Sequence, residues 1–217
     1  MIKAELYSDV SEKKSPVPGQ VSLPQEKRFL KVLDMLDLVR VIKSSSRENP
    51  NTMPTNEIRA ALKSVCQVFA KNDVEYILIG GLSVDFHGYH RISHGFVPGS
   101  NSLENDLDFW YNPTTDNYIK ITKALDALNI DASTLKDAIF DPKKSFLRIP
   151  FPTFKVELLP VMVGVDPFKD CKKRAEVLEI DGNKIHVISK EDLIKNKEAV
   201  GREVDKRDVI ELKKRDR

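Results

Sequence analysis

The stretch Tyr76-Ile77-Leu78-Ile79-Gly80-Gly81, followed after Arg91 by Asn105-Asp106-Leu107-Asp108-Phe109-Trp110, decides how this chain is read. A short apolar run ending in a glycine pair reads as a buried strand that leaves its sheet through a tight turn. The second run also reads as a strand. Alternate side chains of a strand share a face, so Asp106 and Asp108 project together while Leu107 and Phe109 turn to the other side. Two carboxylates on one face repel each other unless a cation lies between them. Magnesium, which prefers oxygen ligands, suits that place. A glycine turn nearby can bring backbone N–H groups close to phosphate oxygens. Together these parts point to a metal-dependent nucleotide site.

Working outward, residues 8 to 24 are rich in Ser, Pro, Lys and Gly and read as an irregular arm. Phe29, Val32, Leu33, Leu36, Val39 and Ile42 recur at steps of three and four, so the spacing predicts a helix over residues 25 to 44. A linker with two prolines follows. The expected organisation is an N-terminal arm and helix over 1–50 and one further domain over 51–217. Within that domain Thr55 or Asn56 can cap a helix running to about Lys71, with Ile58, Leu62, Val65 and Phe69 on its apolar face. A helix is expected over Leu82 to Tyr89, a flexible loop over 92 to 104, a strand over Asp106 to Tyr111 and a helix over Thr114 to Leu128. Two strands, Ser145 to Ile149 and Phe154 to Leu159, flank a proline turn. Val177 to Ile180 and Lys184 to Val187 form a hairpin about Asp181-Gly182. Helices over Lys190 to Val200 and Asp205 to Lys214 close the chain. Helices mixed with antiparallel strand pairs indicate an α+β fold, a small mixed sheet flanked by helices, with an N-terminal helical extension.

Composition narrows the function classes. Apolar residues make up 41% and charged residues 31% of the 217, enough for a real core. The net charge is only +2, from 35 basic and 33 acidic residues, which argues against a generally basic nucleic-acid coat. Cys66 and Cys171 alone make neither a zinc site nor a disulfide framework, and read as reduced core residues of a cytoplasmic protein. No apolar run approaches the roughly 20 residues of a membrane-spanning helix. His87, His90 and His94 lie close in sequence, but their phases do not converge on one helix face, and His186 reads as structural.

The order of these motifs resembles the nucleotidyltransferase superfamily with the DNA polymerase β-type catalytic core. That pattern is an apolar strand, Gly-Gly or Gly-Ser, a helix, an aspartate pair on a second strand, and a third carboxylate on a later strand. Gly80-Gly81, Asp106 and Asp108 match it, and Glu157 in Phe154-Lys-Val-Glu-Leu-Leu159 stands where the third carboxylate is expected. Arg91 resembles an arginine that precedes the aspartates in a prokaryotic branch with toxin-like members. The segment from Val187 through Lys197, Gly201-Arg202, Asp205 and Asp208 resembles the tail of that branch. The likeness runs from about residue 57 to 213.

It implies transfer of a nucleoside monophosphate from an NTP to an acceptor, with release of pyrophosphate. Asp106, Asp108 and Glu157 would hold Mg2+ and carry catalysis. Gly80, Gly81, Ser83, Arg91 and Lys197 would contact the nucleotide. The acceptor implied is tRNA, a protein hydroxyl or a small molecule, and a toxin-like member would have an antitoxin partner. The chain departs from the pattern in three ways. Residues 82 to 105 make a longer connection than usual, Glu104 replaces a common threonine, and the third carboxylate is glutamate. A catalytically inactive nucleotide-binding or protein-interaction module on the same fold is the alternative. For Lys197 and Arg202 the simpler reading is a solvated helix face. For Asp205 and Asp208 it is a helix N-terminus that favours negative charge.

Overall fold

The computed structural model describes residues 2–7, 55–89, 94–96, 103–151 and 154–214. The helix expected over 25 to 44 therefore lies outside the described residues, as do Arg91 and His90. Eight strands are described: β1 (Glu5–Tyr7), β2 (Tyr76–Leu78), β3 (His94–Phe96), β4 (Leu103–Tyr111), β5 (Phe146–Pro150), β6 (Phe154–Leu159), β7 (Glu176–Ile180) and β8 (Asn183–Val187). Seven helices accompany them: α1 (Thr55–Lys71), α2 (Gly80–Phe86), α3 (Thr115–Ala127), α4 (Ser133–Lys136), α5 (Phe168–Arg174), α6 (Lys190–Val200) and α7 (Glu203–Lys214).

The strands form one mixed sheet in the order β1-β5-β6-β4-β2-β8-β7, with β3 also paired to β4. β4 runs parallel to β6 and β2 runs parallel to β8, while the β5–β6 and β7–β8 pairs are antiparallel, as the proline and Asp-Gly turns predict. Asn105 pairs with both His94 of β3 and Phe154 of β6. A strand has two edges, so β3 and β2 share the edge of β4 that faces away from β6. Between them the edge is left to residues 106 and 107, since the Asp108 carbonyl accepts from Ile79.

Period-two alternation divides the sheet into two faces. Leu107, Phe109, Tyr111, Val156 and Leu158 join the main core with α1 and α3. Phe69, Tyr76 and Phe109 meet there edge to face, at centroid separations of 5.3 to 5.5 Å. Ile77, Ile79 and Trp110 point the other way, into a smaller core with Phe168, Cys171, Leu193 and Leu212 of α5, α6 and α7. Both cysteines are buried and free.

Several details depart from the sequence expectations. The helix after β2 begins at Gly80 rather than Leu82, so both glycines lie inside its first turn. Part of the loop expected over 92 to 104 is paired strand, β3 with the start of β4. β1 joins the sheet edge against β5, a strand that three residues were too few to announce by periodicity. α4 and α5 were not expected either, because each spans two turns or fewer and carries no full amphipathic repeat. No described helix is long and apolar enough to cross a membrane.

Candidate active site

The site grows from β4 and its two neighbours. Asp106 and Asp108 share the face opposite Leu107 and Phe109. In the parallel pairing Lys155 stands level with Asp106, and Glu157 stands level with Asp108. In the next pairing Arg148 of β5 stands level with Glu157. The result is a charged row across three adjacent strands, set on the face of the smaller core.

Each charge in the row has a traceable partner. Lys155 Nζ lies 3.2 Å from Asp106 Oδ1 and 3.4 Å from Glu157 Oε1. Arg148 donates to Glu157 Oε1 from the other side, through Nε at 3.0 Å and Nη2 at 2.8 Å. Burial pushes the Asp108 carboxyl up to about 7, and the negative charges of Glu157 and Asp106 push it the same way. Lys155 and Lys197 pull against that rise.

Gly80 closes the site on the β2 side. The Ile79 N–H donates to the Asp108 carbonyl at 2.9 Å, and the chain then turns at Gly80 with φ +69°. A Cβ at Gly80 would lie 2.0 Å from Asp108 Oδ2. Glycine is needed here twice over, for the left-handed backbone and for the space that the carboxylate fills. Gly81 is buried in the next position. Ser83 is fully buried, and its hydroxyl donates to the Gly80 carbonyl at 2.8 Å. It braces the turn from within.

Lys197 is placed differently from a solvated helix residue. It is buried, with Nζ 2.7 Å from Asp208 Oδ2 and 3.2 Å from Asp205 Oδ1. Arg202 closes the far side of Asp205 with Nε at 2.6 Å from Oδ2. Asp205 and Asp208 are thus the buried anions of an ion cluster between α6 and α7, which the helix-terminus reading missed. The cluster stands beside the charged row, since Asp108 feels Lys197 and Arg202 feels Asp108. His87 is also structural: its Nε2 lies 2.8 Å from the Ile188 carbonyl.

Sequence reasoning missed Arg148 and Lys155. Nothing in a local pattern singles out a basic residue on an ordinary strand. The only available signal was the two-residue spacing of Lys155 from Glu157, which puts both on one face.

The donor set fits a hard divalent cation in chemistry, with three carboxylates gathered on one face and all of them partly buried. Among the described residues, however, no three His, Cys, Asp and Glu side chains form a ready cation cage. Asp106 and Glu157 are drawn onto Lys155 instead.

No protein-family profile matches the sequence, and no curated protein matches it. Solved structures similar in shape include a candidate nucleotidyltransferase of Thermotoga maritima, 16% identical, with a TM-score of 0.46, over 78% of this chain and 100% of that one. A lincosamide antibiotic adenylyltransferase with lincomycin bound is 17% identical, with a TM-score of 0.42, over 70% and 94% of the two chains. An antigenic nucleotidyltransferase-like protein from Paracoccidioides brasiliensis is 16% identical, with a TM-score of 0.41, over 73% and 76%. At these scores the functional reading rests on the residues themselves.

Proposed function

We propose that the protein is a nucleotidyltransferase that moves a nucleoside monophosphate from an NTP to an acceptor and releases pyrophosphate. The observation that carries this reading is the row of Asp106, Asp108 and Glu157, on one face of two parallel strands and beside the glycine turn. Asp106 and Asp108 would hold Mg2+, with Glu157 as the third carboxylate. The metal, when bound, would stabilise charge on the phosphoryl oxygens during an in-line displacement. The Gly80-Gly81 turn would face the phosphates on the β2 side, with no Cβ on Gly80 to crowd Asp108. Glu157, held by Arg148, would orient the acceptor hydroxyl and accept its proton. Lys197 and Arg202 would moderate the negative charge of the site from behind the Asp205–Asp208 pair. Arg91 is assigned to the nucleotide by resemblance alone. The near-balanced net charge leaves tRNA, a protein hydroxyl and a small molecule as acceptor classes. A toxin role with an antitoxin partner follows from resemblance only.

Isothermal titration with each NTP, with and without Mg2+, tests the reading against an Asp106→Asn/Asp108→Asn variant. Metal-dependent NTP binding that the variant loses is the expected result. Retained binding in the variant would move the nucleotide elsewhere. One observation favours a second reading, an inactive nucleotide-binding module: both Asp106 and Glu157 are engaged by basic side chains. Metal-dependent NTP binding without pyrophosphate release, across an acceptor screen, would select that module.

A further inference from the structure

Lys155 is the cation that the carboxylate row already has. It is level with Asp106 in the β4–β6 pairing, and its ammonium lies within 3.4 Å of both Asp106 and Glu157. Its side chain is only 17% exposed, so the ammonium is held among the carboxylates rather than swinging in solvent. Arg148 occupies the other flank of Glu157. Three carboxyl groups therefore face two cations, and the row carries a net negative charge once Asp108 is ionised. A divalent ion entering between the carboxylates would meet the Lys155 ammonium at close range, where like charges repel strongly in a poorly solvated site.

We propose that Lys155 is a tethered competitor for the divalent cation. It holds Asp106 and Glu157 together while the metal is absent, and it must leave them when the metal binds. The inference rests on the nucleotidyltransferase reading and assigns a regulation to that same site. The consequence is a site that stays closed to weakly held metal. Removal of the Lys155 charge strengthens metal binding instead of weakening it. A purely structural lysine would give the opposite sign, because losing it would loosen the carboxylates and disorder the ligands.

The experiment is a titration of the full chain with Mn2+ alone at pH 8, following free Mn2+ by electron paramagnetic resonance. Wild type, Lys155→Met, Lys155→Arg and Asp106→Asn/Asp108→Asn are compared. Circular dichroism checks that each variant is folded, and Lys155→Gln replaces the methionine variant if that one is not. Wild type is expected to bind weakly through the two aspartates. Lys155→Met should bind about tenfold tighter, while Lys155→Arg stays near wild type. Unchanged or weaker binding by Lys155→Met, in a protein whose wild type binds, overturns the competitor role and leaves the functional reading standing. Absence of aspartate-dependent Mn2+ binding in both wild type and Lys155→Met overturns the functional reading, and the competitor role goes with it.

Discussion

Two ion clusters stand side by side in this molecule and behave as opposites. The Lys197–Asp205–Asp208 cluster is closed: its lysine is 5% exposed and its carboxylates 1% and 0%. Burial alone would raise the Asp205 carboxyl, but the hydrogen bond from Arg202 and the charge of Lys197 outweigh it and hold that carboxyl below its usual range. The row on β4 and β6 is half-open, with Lys155 and Asp106 at 17% and 19%, and it carries one carboxylate more than its cations balance. Asp108 shifts the other way, up to about 7. A cluster whose charges match and exclude water serves as a structural joint. A row that keeps an excess of one sign at a reachable edge is strained by its own chemistry, and that strain is what a cation would relieve.

The comparison is most easily broken by exchanging the effects. Asp106→Asn/Asp108→Asn should reduce nucleotide transfer to background with no loss of stability, because it removes like charges that repel. A clear fall in its urea midpoint would make the row a structural joint as well. Lys197→Met should do the reverse. It removes the ammonium that both buried carboxylates share, leaving Arg202 on Asp205, and should cost about 3–5 kcal/mol in urea denaturation. A cost below about 1 kcal/mol would mean that water reaches the cluster and that it is not closed.

Finer distinctions separate backbone strain from crowding of the site. Gly80 and Gly182 both have positive φ, at +69° and +78°, but a Cβ at Gly182 meets nothing within 4 Å. Gly80→Ala should destabilise by about 1–3 kcal/mol and disrupt metal-dependent NTP binding. Gly182→Ala should cost about 1 kcal/mol and leave binding intact. Equal binding in the two variants would show that Asp108 does not need the space at Gly80.

The smallest effect is in the pH profile of the metal-free protein. Asp108 binds its proton more tightly when folded, so its contribution falls as pH rises from its ordinary value of 3.8 to about 7. Asp205 has the opposite sign, since its lowered pKa adds stability that is lost only as pH falls below the usual carboxylate range. Denaturation midpoints between pH 4 and 7 should therefore be flatter in Asp108→Asn than in wild type. Identical slopes would place Asp108 in contact with water.

Much of this arrangement is legible in the sequence, for local reasons. The β6 limits and the span of α6 are as the pattern predicts, because six and eleven residues of consistent periodicity carry the signal. The shift of α2 to begin at Gly80 was not legible, because glycine disfavours a helix unless the surrounding packing overrides that preference. The place of Ser83 after the glycines is all that the sequence tells. The packing of its neighbour Val84 into the second core depends on α5, α6 and α7, whose residues lie more than eighty positions away.

By itself, the sequence determined which side chains share a face. Strand alternation is a property of the backbone, so Asp106 with Asp108, and Lys155 with Glu157, were fixed once these runs were strands. Only the tertiary structure decided which faces meet. The register of β4 against β6 and of β6 against β5 sets Lys155 by Asp106 and Arg148 by Glu157. The packing of α6 on α7 turns Lys197 from an apparent surface residue into a buried counter-ion. Register and packing arise from contacts between distant segments, each competing to bury its apolar side, and no local pattern contains that outcome.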